Sequence, residues 1–143
     1  MKPILVTIDG SEGARHAVDA AADLAGKLNI DLWILNVMDG FPDEELAHFT
    51  RAERTSVGDA LDARAKRIST EARARAERLG ARTVYLRSRS GDCTEVILET
   101  AREVGAAAIF VGRRGRGRLS GLLLGSVSQK LACLAPCQLV IVP

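Results

Sequence analysis

The sequence predicts an α/β fold with an open, five-stranded parallel sheet, and two features of its pattern support this. Five short runs, mostly of β-branched residues, are almost continuously apolar, as expected of strands buried on both faces of a parallel sheet. They occupy residues 4–8, 32–37, 83–86, 107–111 and 139–142. A helical pattern follows each of the first four runs, and this alternation of strands with helices is typical of α/β layering.

The first two helices are predicted from caps and from apolar residues at helical spacing. Ser11 can cap the first helix, because its hydroxyl can accept a hydrogen bond from a free amide of the first turn. The apolar face of this helix consists of Ala17, Val18, Ala21, Leu24, Ala25 and Leu28. The longest helix is expected over residues 61–79, with Gly80 placed as a C-cap. Its narrower stripe consists of Leu61, Ala65, Ile68, Ala72, Ala76 and Leu79.

The remaining helix boundaries rest on weaker or more local signals. Pro42, followed by three acidic residues, is typical of a helix start, whereas the turn signals around Gly58 predict a break or a mobile link. Asp92 can cap the third helix. The fourth helix is expected to begin at Gly125 or Ser126.

Length and composition limit the class of protein. The 143 residues, 47% of them hydrophobic, fit one domain over residues 1–143 with a sizeable core. A net charge of +2 gives the protein little electrostatic attraction to nucleic acid or to anionic membranes. An aromatic content of 3% leaves few side chains on which bases could stack. The N-terminal apolar run of about six residues is far too short for a signal peptide or a membrane span. We therefore expect a cytoplasmic protein without nucleic-acid or membrane partners.

The cysteines, histidines and basic residues outside the glycine-rich stretch predict no site. Cys93, Cys133 and Cys137 are odd in number and lack C-x-x-C spacing, so reduced and mostly buried thiols are expected. Neither His16 nor His48 has a second ligand at metal-binding spacing. The arginines within residues 51–89 are interspersed with acidic residues and are expected to form a solvated helix surface.

Residues 111–128, rich in glycine and arginine, are the main candidate for a ligand site. The glycines let backbone amides approach an anion, and the arginines add positive charge. A P-loop is excluded because residues 121–126 lack its lysine. A dinucleotide fingerprint starting at Gly115 has Ser120 in place of its last glycine. The nucleophile elbow G-x-S-x-G is absent from the sequence.

Gly112, Gly115, Gly125 and Ser126 have the spacing G-x2-G-x9-G-[ST], and here the sequence resembles the universal stress protein family. The string V-T-I-D-G-S-E closes the first strand and L-N-V-M-D closes the second, which agrees with this, so the resemblance covers essentially the whole chain. It implies the strand order 3-2-1-4-5 with helices on both faces, as in adenine nucleotide alpha hydrolase-like folds. The ligand crevice is then expected between strands 1 and 4, where the strand order reverses.

The resemblance further implies that the ligand is ATP, with any Mg²⁺ or Mn²⁺ held by the phosphates. Thr7, Ile8 and Asp9 match positions near the base, and the backbone of Val37 matches a contact with the adenine edge. Positions beside the ribose and phosphates are Gly112, Arg114 and Gly115, which follow Val111. The amides and hydroxyls that hold the phosphates match Gly125, Ser126, Val127 and Ser128.

Elementary chemistry supports the phosphate end, because the free amides and positive dipole of a helix N-terminus favour an anion. Each assignment also has a purely structural alternative. Asp9 can help to cap the first helix, although Ser11 is the better cap and would leave the carboxylate free. Gly112 and Gly115 can serve a tight turn alone, and Ser126 can be only a cap. Arg113, Arg116 and Arg118 fit an exposed loop as well as a ligand contact.

Several functions remain open at this point. The preferred one is a non-enzymatic, ATP-dependent regulatory protein of the stress response with an unidentified protein partner. The alternatives are a slow ATP hydrolase or a phosphoryl or adenylyl transferase, a binder of cyclic AMP or AMP, and an RNA-binding arginine-glycine loop. The motif contains no general base, which disfavours efficient turnover. The apolar strand at residues 137–142 is expected to pair with its copy in a homodimer.

Overall fold

The computed structural model describes residues 1–38, 50–113 and 124–143, and it confirms the predicted sheet. Five strands form one parallel sheet in the order β3-β2-β1-β4-β5. The strands are β1 Ile4–Ile8, β2 Leu32–Met38, β3 Val84–Ser90, β4 Ala108–Gly112 and β5 Gln138–Val142. The third strand continues four residues beyond the apolar run that predicted it, because β3 lies at the edge of the sheet and tolerates partly exposed polar side chains.

Four helices in the described ranges cover the two faces of the sheet. They are α1 Glu12–Leu28, α2 Arg51–Arg78, α3 Cys93–Val104 and α4 Ser126–Leu134. Alanines of α1 and α2 pack on one face against β1 and β2, whereas α3 and α4 pack on the other face. The predicted caps of α1 and α3 are confirmed: Ser11 Oγ accepts from the Ala14 amide at 3.2 Å, and Asp92 Oδ1 accepts from the Glu95 amide at 3.0 Å.

The predicted break at Gly58 is wrong, because α2 is one helix of 28 residues that passes through this position. A capping box starts the helix: Thr50 Oγ1 accepts from the Glu53 amide, and the Glu53 carboxylate accepts from the Thr50 amide. A glycine inside a helix costs only about 1 kcal/mol relative to alanine, which a helix of this length offsets. The predicted helix start at Pro42 lies outside the described residues.

Burial differs from expectation where the apolar patterns reach the ends of helices. Leu24, Leu28 and Leu79 are expected on packed faces, but the structure leaves all three exposed, whereas the neighbouring alanines Ala25 and Ala76 are buried. Cys133 is also exposed on α4, so the expectation of a mostly buried set of thiols is wrong for this residue. Cys137 is partly buried, and this burial raises the pKa of its thiol.

Asp19 on α1 and Arg75 on α2 form a bidentate ion pair that joins the two helices. Arg75 Nη2 donates to Asp19 Oδ2 at 2.8 Å, and Arg75 Nε donates to Asp19 Oδ1. The hydrogen bonds from Arg75, followed by its charge, lower the pKa of Asp19, and burial opposes them. The arginines of α2 are therefore not all part of a solvated surface.

Replacing Asp19 with Asn is expected to cause a small loss of stability at neutral pH, because both partners remain partly exposed to solvent. Because the pKa of Asp19 is lowered in the folded protein, the ion pair contributes its full stabilisation above the ordinary Asp pKa of about 3.9. This stabilisation is lost as the pH falls through the lowered pKa. Urea unfolding of both proteins between pH 7 and pH 2 should show curves that converge at the acidic end. Asp23→Asn, which removes an exposed pair with Lys27 on the same helix, is the matched control. A difference that persists at pH 2 would contradict the assignment.

Candidate functional site

A cavity of about 370 Å³ opens at the carboxyl ends of β1, β2 and β4, where the strand order reverses. Its size falls in the range of small-molecule sites. Of the twelve residues predicted from the sequence, Arg114 and Gly115 lie outside the described residues. The other ten all line this cavity: Thr7, Ile8, Asp9, Val37, Val111, Gly112, Gly125, Ser126, Val127 and Ser128. The structure thus brings together groups that lie up to 121 positions apart in the chain.

Asp9 directly follows β1, and its carboxylate is only partly available to a ligand. One oxygen, Oδ1, accepts a hydrogen bond from the Ser11 amide at 2.8 Å. The expectation that Ser11 would leave the whole carboxylate free is therefore wrong, because Asp9 and Ser11 share the start of α1. Within the described residues, no hydrogen bond to the second oxygen is seen, so that oxygen can still accept from a ligand.

Val37 lies one residue beyond the paired parts of β1 and β2. That pairing ends at Ile8 opposite Asn36, and the buried Asn36 side chain donates to the Ile8 carbonyl at 3.2 Å. The Met38 carbonyl accepts from the Gly91 amide on the β3 side. Because successive carbonyls of an extended strand point to opposite edges, the Val37 carbonyl points to the β1 side, where the cavity lies. This is the geometry expected for a backbone contact with a ligand.

The N-terminus of α4 supplies free amide donors to the cavity. Gly125 is its N-cap and supplies no side-chain hydrogen bond, whereas α1, α2 and α3 each have a side-chain cap. The helical ladder starts with the Gln129 amide, which donates to the Gly125 carbonyl. The amides of Ser126, Val127 and Ser128 have no acceptor among the described residues. These donors and the positive end of the helix dipole favour an anion.

The Ser128 hydroxyl has a structural partner of its own. Ser128 is 3% exposed, and its Oγ donates to the Gly112 carbonyl at 2.9 Å, with the Arg113 carbonyl at 3.3 Å. The Gly125 amide donates to the same Arg113 carbonyl at 2.8 Å. These bonds join the end of β4 to the start of α4. The predicted phosphate contact of Ser128 therefore rests on its amide and not on its hydroxyl.

Packing requires a glycine at position 112, whether or not a ligand binds there. A Cβ at this position would lie 2.8 Å from the carbonyl carbon and 3.1 Å from the oxygen of Gly13, which belongs to the first turn of α1. Real Cβ atoms do not approach backbone atoms so closely. The glycine thus allows the end of β4 to pack against the start of α1, a reason that the sequence pattern did not show.

Ten further residues line the cavity that were not among the twelve predicted site residues. They are Ser11, Ala14, Asn36, Met38, Leu61, Arg64, Ala65, Ile68, Cys93 and Ile97. Most are apolar residues whose position depends on the packing of distant helices. Arg64 had a detectable signal, because it lies three residues after Leu61 and four before Ile68, within the apolar stripe of α2.

The described lining residues include only two charged side chains, Asp9 and Arg64. The cavity therefore offers an acceptor and a donor near the ends of β1 and β2, and a row of amide donors at α4. Residues 1–38, 50–113 and 124–143 contain no cluster of side chains that could hold a metal ion. In the same ranges, no helix has the length and apolar character needed to cross a membrane.

The fold and the cavity together define an α/β protein with a cavity of small-molecule size at the switch point of a parallel sheet. The chain belongs to the universal stress protein family, whose model matches residues 1–143.

Individual relatives match along nearly their whole length. The universal stress protein YxiE of Bacillus subtilis is 33% identical to this chain, with 97% of each chain covered. A universal stress protein solved in complex with cAMP is 29% identical, with a TM-score of 0.75 over 99% of this chain and 95% of that one. The Archaeoglobus fulgidus protein in complex with dAMP is 19% identical, with a TM-score of 0.75 over 100% and 98%.

Proposed function

We propose that this cavity binds ATP and that the protein acts as a nucleotide-dependent regulator in the stress response. The observation that carries the proposal is the uncapped N-terminus of α4, whose free amides share a cavity with the Asp9 carboxylate. An anion-binding end and a hydrogen-bonding end in one cavity fit a nucleotide. The spacing of the family motif from Gly112 to Ser126 supports a triphosphate as the anion.

The proposed orientation places the base at β1 and β2 and the phosphates at α4. Asp9 accepts from the adenine amine, and the Val37 backbone contacts the adenine edge. Thr7, Ile8 and Val111 form nearby walls of the cavity. The phosphates lie against the amides of Ser126, Val127 and Ser128, and the phosphates hold any Mg²⁺ or Mn²⁺. By the motif, Gly112, Arg114, Gly115 and Gly125 contact the ribose or phosphates.

Binding, with at most slow hydrolysis, is the proposed activity. Among the described lining residues, Asp9 is the one carboxylate, and the proposed orientation places it at the base end, away from the phosphates. A general base must lie within hydrogen-bond reach of the water it activates. Steady turnover by the purified protein faster than about one ATP per minute, abolished by Gly115→Val, would contradict this proposal.

A cyclic nucleotide is the second candidate ligand, because a relative 29% identical to this chain was solved in complex with cAMP. The contacts of Asp9 and Val37 with adenine would be common to both ligands, whereas the amides of α4 would meet one phosphate instead of three. Competition calorimetry with ATP, ADP, AMP and cyclic AMP separates the two. Tightest binding of cyclic AMP would overturn the choice of ATP.

The most direct test is native mass spectrometry of the freshly purified protein. The proposal predicts a mass increment equal to ATP, which disappears after denaturation and is restored by added ATP. A preparation that neither carries nor takes up an adenine nucleotide would refute the proposed function.

We also propose a homodimer that pairs the β5 strands of two copies. The strand Gln138–Val142 lies at the edge of the sheet and is hydrogen-bonded along one side by β4. Four of its five side chains are apolar and only half-buried. Unpaired apolar edges of this kind favour association. Light scattering at micromolar concentration is expected to give twice the chain mass, and a monomer mass would contradict the pairing.

A further inference from the structure

Arg64 is the charged side chain among the described cavity residues that neither the motif nor the proposed contacts explain. It lies on the same face of α2 as Leu61, Ala65 and Ile68, and all four residues line the cavity. Arg64 is half-buried, whereas Arg67, one turn further along α2, is exposed. A cation directed toward a mostly apolar wall is unusual, because long charged side chains normally keep their head groups in water.

The guanidinium of Arg64 lies over the turn that follows β1. Its Nη2 donates to the Asp9 carbonyl at 3.4 Å. A Cβ placed on Gly10 would be 3.2 Å from the same nitrogen, so the guanidinium also lies close to the backbone of Gly10, which has a φ of +83°. This long hydrogen bond is the one that Arg64 makes within the described residues. A guanidinium has five N–H donors, so most of them remain available beside Asp9.

Arg64 and the amides of α4 reach the cavity from different sides. The helix α2 packs with α1 on one face of the sheet and lies against β2, whereas α4 packs on the opposite face. The α4 N-terminus is joined to the end of β4 through Ser128. Arg64 is instead joined to the end of β1 through Asp9. Its donors therefore lie at the end of the cavity assigned to the base.

We propose that Arg64 is a base-binding residue that works together with Asp9. The second oxygen of the Asp9 carboxylate is an acceptor, and the neighbouring guanidinium is a donor. Adenine presents its amine, a donor, next to the ring nitrogens N1 and N7, which are acceptors. The pair is thus complementary to an adenine edge, with Asp9 accepting from the amine and Arg64 donating to a ring nitrogen. This inference rests on the proposed nucleotide-binding function.

The test compares Arg64→Met with the unmodified protein by calorimetry, using ATP and adenosine as ligands. A base contact is common to both ligands. The substitution is therefore expected to lower the affinities for ATP and for adenosine by the same factor, about tenfold for a charge-assisted hydrogen bond. Arg67→Met removes an exposed arginine from the same helix and should leave both affinities unchanged. Thermal unfolding of each variant monitors the fold.

Deaza analogues distinguish a direct contact from mere support of Asp9. If Arg64 donates to a ring nitrogen, either 1-deazaadenosine or 7-deazaadenosine should bind the unmodified protein about tenfold more weakly than adenosine. Replacing Arg64 with Met should not weaken the binding of that same analogue any further. If the substitution instead weakens the binding of both analogues equally, the proposal is overturned, since the arginine would then act independently of either nitrogen.

The other outcomes are equally decisive. If ATP loses much more affinity than adenosine, Arg64 contacts the phosphates and the proposal is overturned. If Arg64→Met binds both ligands as tightly as the unmodified protein, Arg64 makes no base contact, while ATP binding itself stands. If the unmodified protein binds neither ligand, the proposed function fails and this inference fails with it.

Discussion

Ser126→Asp is expected to weaken ATP binding at least about a hundredfold while the fold remains as stable or becomes slightly more stable. Ser126 is the exposed first residue of α4, next to the free amides that we assign to the phosphates. A carboxylate there interacts favourably with the helix dipole, by about 0.3–1 kcal/mol. The same charge repels a triphosphate by about 4 kcal/mol at a separation near 4 Å in a partly screened site, more than the roughly 2.7 kcal/mol of a hundredfold loss.

Calorimetry with ATP and urea unfolding without ligand measure the two effects separately. Ser126→Asn has nearly the same size as the Asp variant but no charge, so it should change ATP affinity by no more than a few fold. Adenosine, which has no phosphate, should bind all three proteins alike. Tight ATP binding by Ser126→Asp would show that the amides of α4 do not hold the phosphates.

Gly112→Ala should destabilise the protein by about 2–3 kcal/mol in the absence of any ligand, as overpacking of a tight contact does. The added Cβ would meet the backbone of Gly13, and a backbone atom cannot rotate away as the end of a side chain can. The end of β4 and the start of α1 would have to separate. Such a shift would also move Asp9 and the Ser128 hydrogen bond, so ATP affinity should fall as well.

Gly58→Ala is the matched control for this substitution. A Cβ at Gly58 meets no atom within 4 Å, and the position lies inside α2. Alanine is the better helix former, so the control should gain about 0.5–1 kcal/mol in the free energy of unfolding. Chemical denaturation followed by circular dichroism measures both variants. A Gly112→Ala protein within about 0.5 kcal/mol of the unmodified chain would show that the two backbones separate without cost.

Predictions that depend on neighbours in the chain were the successful ones. The strands follow from short apolar runs, and the caps by Ser11 and Asp92 follow from side chains that reach amides three residues away. One exception within this class is Gly58, where a local turn signal was outweighed by the capping box and by the length of α2. Local preference decides an element only where tertiary contacts do not oppose it.

Predictions about what individual side chains do at the site were less complete. The positions of Asp9, Val37 and the start of α4 at one cavity follow from the order of strands, because the carboxyl ends of parallel strands meet at the same edge. The hydrogen bonds that each group already makes do not follow from that order. One oxygen of the Asp9 carboxylate accepts from the Ser11 amide, and the Ser128 hydroxyl donates to the Gly112 carbonyl.

The sequence by itself determined the fold class, the order of the elements, the family and ten of the residues that line the cavity. These properties are encoded by periodicity, caps and glycine spacing, which act over a few residues. The tertiary structure alone decided that Gly112 must lack a side chain and that Arg64 reaches the turn after β1. The physical reason is that both depend on contacts between segments 55 or more positions apart, and no local pattern records how closely two such backbones approach.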